Sequence, residues 1–206
     1  MKKFAFVSDF DGTLTSRDFY HIIIDRYLGK EGRDFYTEWK KSKKINVEFL
    51  NRIFGSIRLE EKELHDEIFQ IPMDAAAVEV IRKVKESGGD FFIVSAGTSY
   101  YIRILLDYLH MGDVSVVSME GIYCDGGIRI IPDESSIYYS KVFGLDKQKV
   151  VENLRREHEY IIFAGDSEPD FGAAKAADLV YARGELGDLL REEGISHTPF
   201  TDFRQI

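Results

Sequence analysis

Two aspartates stand two residues apart near the start of the chain, in Asp9-Phe10-Asp11-Gly12-Thr13. On an extended backbone side chains at i and i+2 share a face, so both carboxylates are expected to point the same way. Carboxylates that close repel, which raises at least one pKa unless a cation lies between them. Such a pair suits a division of labour at phosphorus. Asp9 attacks as nucleophile, while Asp11 gives a proton to the leaving oxygen and later takes one from water. Gly12 permits a sharp turn, and the Thr13 hydroxyl with nearby amides is suited to hold a phosphoryl oxygen. An inert, solvated turn has the same composition, and this segment alone does not choose between the two.

Two further clusters carry compatible chemistry. Ser95, followed by Ala96 and Gly97, offers a hydroxyl and backbone amides near the start of a helix, which is a phosphate cradle or simply a helix cap. In Gly165-Asp166-Ser167-Glu168-Pro169-Asp170 two carboxylates lie four residues apart. With Asp9 and the backbone carbonyl of Asp11, Asp166 would complete an oxygen shell for Mg²⁺. Asp170 would hydrogen-bond behind that shell, reach the metal through water, or only complement a helix dipole. A cation should also face the phosphate, and Lys141, Lys147 and Lys149 compete for the place. Lys147 opens the helix leading back to the next strand, so its ammonium is suited to neutralise a phosphoryl group. A solvated helix face is the plain alternative for any one of them.

Each cluster ends a short apolar run: Phe4–Ser8, Phe91–Val94 and Tyr160–Ala164. Runs this short, bounded by turn residues, read as buried strands of a parallel sheet. Between them the periodicity is helical: Ala75–Glu86 capped by Asp74, Tyr101–Tyr108 and Lys147–Glu157. Leu179–Ala182 is expected as the last core strand. Asp125-Gly126 predicts a primed turn joining Gly121–Cys124 to Gly127–Ile131 in a β-hairpin. From Asp18 to Gln70 the text is amphipathic and helical, with breaks expected at Gly29–Gly32, near Lys43–Asn46 and at Gly55. The fold class is therefore α/β: a Rossmann-like, doubly wound parallel sheet, a helical insertion after the first strand, and a hairpin. The expected division is residues 1–15 and 74–206 as core, with residues 16–73 inserted. Ligands of such sheets bind beyond the carboxyl ends of the strands, where the loaded segments converge.

Composition narrows the partners. The 206 residues carry 27 Lys and Arg against 36 Asp and Glu, a net charge of −9, which disfavours nucleic acid. One cysteine, Cys124, excludes a disulfide framework and a multi-cysteine metal site. The five histidines lack ligand spacing and none is assigned to metal. The basic run Lys40–Lys44 reads first as a solvated helix end, with attraction of an anionic substrate toward the insertion as the alternative. No apolar run approaches a membrane span, and Met1-Lys2-Lys3 opens without the apolar region of a secretory signal. The expectation is a cytoplasmic protein with no membrane or nucleic-acid partner, monomeric or homodimeric.

Asp9-Phe10-Asp11-Gly12-Thr13-Leu14-Thr15, Val94-Ser95-Ala96-Gly97, Gly144-Leu145-Asp146-Lys147 and Gly165-Asp166-Ser167-x-x-Asp170 resemble the four motifs of the haloacid dehalogenase superfamily, in its order and spacing. The resemblance covers the whole chain. It implies Mg²⁺-dependent phosphoryl transfer through an aspartyl-phosphate on Asp9, with Asp11 marking the phosphatase branch. Phosphate would then rest on Thr13, Ser95, Ala96, Gly97 and Lys147, and the metal on Asp9, Asp11 and Asp166, supported by Asp170. The insertion resembles the small helical cap of the phosphoserine-phosphatase-like branch, which implies that Asp18 and Arg52 touch substrate. Within that branch Asp18, the Arg-x-Phe-Gly text and His197-Thr198-Pro199-Phe200 are similar to the 2-hydroxy-3-keto-5-methylthiopentenyl-1-phosphate phosphatases. Gly12 and Ala96 depart from the usual phosphoserine phosphatase residues, Ser and Gly. The implied function is hydrolysis of a small phosphorylated metabolite, with phosphoserine phosphatase as the second choice. Outside catalysis the alternatives are a phosphometabolite-binding protein and a signalling receiver domain, the latter opposed by the length of the insertion.

Overall fold

Apolar side chains occupy both faces of the first strand, β1 (Lys2–Ser8), where Ala5, Phe6, Val7 and Ser8 are all buried. A strand buried on both faces belongs at the centre of a sheet covered by helices, and the computed structural model, which describes residues 2–42 and 44–206, places it there. Lys43 of the basic run lies outside the described residues.

After β1 the chain enters the helical insert: α1 (Phe19–Ile23), a π-helical turn at Ile24–Leu28, α2 (Gly29–Ser42), α3 (Val47–Phe54) and α4 (Glu61–Phe69). The expected break at Gly29–Gly32 reduces to a kink at Gly29, where φ is +53°; Gly32 lies inside α2, packed on Leu28 and Ile24. Asn46 caps α3 by accepting from the Phe49 amide. The two ends of the insert meet where Thr15 bridges Met73 antiparallel and the Asp74 amide donates to Leu14.

From there α5 (Ala75–Glu86), capped by Asp74, leads to β2 (Asp90–Thr98) and α6 (Ser99–Tyr108). A hairpin follows, β3 (Ser115–Cys124) and β4 (Gly127–Ile131), turning through Asp125 and Gly126 with φ of +51° and +82°. These angles are those of a type I′ turn. A two-residue pair, β5 (Tyr139–Ser140) with β6 (Gly144–Leu145), precedes α7 (Lys147–Leu154), which stops three residues short of the expected Glu157. Then come β7 (His158–Gly165), a 3₁₀ turn at Glu168–Asp170, α8 (Phe171–Ala176), β8 (Leu179–Ala182), α9 (Gly184–Glu192) and β9 (Thr198–Pro199). The last core strand is therefore not Leu179–Ala182. β9 adds two residues beyond it, too few for an apolar period to announce.

The seven-stranded sheet runs β4-β3-β2-β1-β7-β8-β9, parallel except for the β3–β4 edge. Phe6, Phe91 and Ile93 face a cluster built with α5, α6 and the insert, while Ala5, Val7, Ile161 and Phe163 face α7, α8 and α9. The sheet is doubly wound, and its strand order reverses between β1 and β7. The insert shares the first cluster and docks on the hairpin. There the Asn51 side chain donates to the Ile130 carbonyl at 3.1 Å and accepts its amide at 2.7 Å. That exchange occupies backbone groups that the edge strand would otherwise leave open. Among the described residues no helix is long and apolar enough to cross a membrane.

Candidate active site

The reversal point brings the ends of β1 and β7 side by side, and the aspartates follow. Asp9, 4% exposed, anchors its amide on the Ala164 carbonyl of β7 at 2.9 Å. Its Oδ1 accepts from Lys147 Nζ at 2.6 Å, and the same ammonium donates to Oδ1 of Asp170 at 2.6 Å. Of the three competing lysines, Lys147 is buried here; Lys149 pairs with Asp146 at the surface, and Lys141 is exposed. Burial and the charge of Asp170 push the Asp9 carboxyl up, Lys147 pulls it down, and the two carboxylates keep Lys147 protonated. Asp170 Oδ2 accepts the amides of Asp166 and Ser167 at 3.0 and 3.1 Å. Its role in this geometry is to tie Lys147 to the turn after β7.

Asp11 is held differently. Its Oδ1 accepts the Phe19 amide at 2.9 Å, at the start of α1, and its Oδ2 accepts the Tyr101 hydroxyl. The enclosing protein, and next the charge of Asp18, push this carboxyl up to about 7, against the pull of the Tyr101 hydrogen bond. Asp18 lines the same cavity beside Tyr20 and His21.

Gly12 takes φ of +77°, and a Cβ there would stand 2.5 Å from Asp166 Oδ2, so both conformation and space require glycine. The turn lets Thr13 donate to Asp166 Oδ1 at 2.7 Å. Burial and Asp170 push the Asp166 carboxyl up to about 7. Thr13 sits otherwise than its expected phosphate contact requires. Its side chain is fully buried and its hydroxyl is committed to Asp166, so it holds a carboxylate in place rather than facing the cavity.

Ser95 is 1% exposed and its Oγ accepts the Gly97 amide at 3.0 Å. It is not a helix cap; Thr98 caps α6 instead, because β2 runs four residues further than the apolar run indicated. Ser95, Ala96 and Gly97 line a cavity of about 470 Å³ with Asp9, Asp11, Lys147 and Asp166. Its outer wall comes from the insert and the 132–145 segment, including Tyr36, Lys40, Ile45, Leu50 and Phe143. Arg52 is not brought there. It is exposed on the far side of α3, its guanidinium 4.1 Å from the Phe35 ring, because the face of α3 bearing Leu50 is the one turned to the cavity.

The donors suit a hard divalent cation. Asp9, Asp166 and Asp170 present oxygens within 4.8 Å of one another, and burial first, then the charge of Asp170, raises the carboxyls of Asp9 and Asp166 despite the Lys147 ammonium, a setting that a bound cation would relieve. With both Asp170 oxygens engaged by Lys147 and amides, Asp9 and Asp166 are the side chains best placed to bind.

Two residues escaped the sequence reading. Tyr101 sits in the first turn of α6 and reaches Asp11. Arg183, after β8, donates to the carbonyls of Gly12, Thr13 and Thr15 and so clamps the turn that carries Asp11. An aromatic in an apolar helix and one arginine at a strand end carry no local signal of such roles.

A doubly wound sheet with these groups gathered at its reversal point defines an α/β enzyme of the hydrolase type. The chain belongs to the haloacid dehalogenase-like hydrolase family, whose model matches residues 6–175. It is 28% identical over 210 residues to a 2-hydroxy-3-keto-5-methylthiopentenyl-1-phosphate phosphatase of Bacillus cereus (strain B4264), across 96% of this chain and 91% of that one. Its fold is similar to a substrate-bound phosphoserine phosphatase, with a TM-score of 0.74 at 19% identity over 100% of this chain and 97% of that one. It is similar also to a phospho-aspartyl intermediate analogue of phosphoserine phosphatase, TM-score 0.71 at 20% identity, over 100% and 98%.

Proposed function

We propose that this hydrolase is a Mg²⁺-dependent phosphomonoesterase that works on a small phosphorylated metabolite. A carboxylate oxygen of Asp9 forms a bond to phosphorus as the ester P–O bond breaks, and Asp11 protonates the departing alcohol. Water then attacks the aspartyl-phosphate, losing its proton to Asp11 as the bond to Asp9 breaks and inorganic phosphate leaves. Ser95, the Ala96 and Gly97 backbone and Lys147 hold the phosphoryl oxygens. Asp9, Asp166 and the Asp11 backbone would hold Mg²⁺, which supplies positive charge to the phosphoryl oxygens as negative charge shifts toward the leaving group. Asp170 and Thr13 orient their neighbours. Residues 16–73 act as a cap over a core of residues 1–15 and 74–206. A monomer or homodimer in the cytoplasm, where Cys124 stays reduced, completes the reading.

One observation carries it: two aspartates share a cavity floor in unlike settings. Asp9 rests on an ammonium, as a nucleophile requires, and Asp11 rests on a hydroxyl and an amide with its carboxyl near 7, as a group that gives and takes a proton requires.

For the substrate, Ile45, Leu50 and Phe143 on the outer wall favour an apolar tail, as in the methylthiopentenyl enol phosphate acted on by the Bacillus relative. A second reading, phosphoserine, is favoured by Asp18, whose carboxylate lines the cavity and suits an ammonium. The test is Mg²⁺-dependent phosphate release from a panel holding both compounds, sugar phosphates and nucleotides, with Asp9→Asn as control. One ester far above the rest, silent without metal or Asp9, names the substrate. A folded, metal-loaded protein that releases phosphate from none of them overturns the reading.

A further inference from the structure

The hydroxyl of Tyr101 donates to Oδ2 of Asp11 from a ring that is 2% exposed. The ring is wedged among Phe10, Phe19 and Phe54, with centroids 6.1, 5.0 and 6.0 Å away. Gly97 makes the approach possible, since a Cβ there would stand 1.9 Å from the hydroxyl and 3.0 Å from Asp11 Oδ2. The last torsion of an aspartate is broad and soft, so one oxygen bonded to a donor on a packed helix restricts where the other points. The second donor to this carboxyl, the Phe19 amide, belongs to the helical insert, whereas Tyr101 belongs to α6 beneath the sheet end.

We propose that Tyr101 is a positioning residue for proton transfer, holding the Asp11 carboxyl in register with the leaving oxygen. The inference rests on the reading of Asp11 as the acid that protonates the alcohol. It goes beyond that reading in assigning the orientation of Asp11 to an aromatic of α6.

Leaving-group dependence separates this role from packing. Phenyl phosphate and p-nitrophenyl phosphate have nearly the same shape, but p-nitrophenolate departs with little need of a proton. Because kcat/KM reports steps up to alcohol departure, it is compared for wild type, Tyr101→Phe and Phe54→Leu on both esters. Phe keeps the ring in its aromatic cluster, and a thermal melt checks that the fold is retained. Tyr101→Phe is expected to lose at least about ten-fold more on phenyl phosphate than on p-nitrophenyl phosphate, a part of what general acid catalysis contributes. Phe54→Leu, a packing change against the same ring, is expected to change both by one factor. Equal losses on the two esters with Tyr101→Phe, or none on either, overturn the inference and leave the phosphatase reading standing. A wild-type protein inactive on these esters and on the whole metabolite panel overturns the parent reading, and this inference with it.

Discussion

The Lys147 ammonium donates to Asp9 Oδ1 across 2.6 Å with both side chains buried, joining residues 138 positions apart. Its second bond, to Asp170, makes it the charge that two buried carboxylates share. Lys147→Met would leave Asp9 and Asp170 enclosed without their cation. Removing one partner of a buried ion pair costs about 3–5 kcal/mol. Urea unfolding should show a loss of that order together with loss of turnover. Lys147→Arg should restore neither fully, because a planar fork does not fit a place shaped for a point charge.

The metal-free protein should lose stability as pH rises. Asp11 and Asp166 titrate near 7 when folded against 3.8 as model groups. Between those values the folded chain holds protons that the unfolded chain has released, so the stability these two groups contribute falls from about pH 4 to pH 7, and the raised Asp9 acts in the same direction. Melting temperatures at pH 5 and pH 8 test the sign. Mg²⁺ should raise the pH 8 value more than the pH 5 value, since a cation competes with the protons.

Arg183 tests whether the turn after β1 must be clamped. Its guanidinium spans the carbonyls of Gly12, Thr13 and Thr15 and reaches the Thr201 carbonyl at 2.8 Å. Arg183→Lys cannot meet that fork of acceptors. Stability should drop by about 1–3 kcal/mol, and kcat should fall more than KM rises. A variant with unchanged kcat would show that the turn holds its shape unaided.

Lys44 and Glu168 form an ion pair from the insert to the turn after β7, at the cavity mouth. Their side chains are 53% and 38% exposed, so the pair should contribute no more than about 1 kcal/mol. Glu168→Gln should leave the melting temperature nearly unchanged. If the pair helps keep the insert closed over substrate, KM should change several-fold. An unchanged KM would assign the contact to the surface alone.

Much of the site was legible because its signals are local. Asp9 and Asp11 stand out by type at the end of β1, although the strand stops at Ser8 and Phe10–Leu14 turns helically, so no two-residue period runs through them; Gly12 is placed by a turn, and Asp166 and Asp170 by one strand-to-helix junction. Asp74 and the Asp125-Gly126 turn were equally direct, since a cap or a primed turn depends on a few consecutive residues. Where Arg52 lies is set by something that is not local. Which face of α3 meets the cavity is set by how Leu50, Ile53 and Phe54 pack, and a helix of that pattern can be docked at more than one rotation. The setting of Thr13 is decided similarly. Its hydroxyl has a partner 153 positions away, and only the apposition of β1 and β7 brings Asp166 within reach.

The sequence by itself determined the alternation of the central strands and helices, the chemical types gathered at the strand ends, and the family they mark. Those follow from short-range periodicity and from residue types that fit one chemistry. Tertiary structure decided which lysine is buried against Asp9, that Tyr101 and not a neighbour grips Asp11, and that Arg183 closes the turn. Each of these is a contact between distant segments whose partners meet only when the sheet assembles and both of its faces are packed.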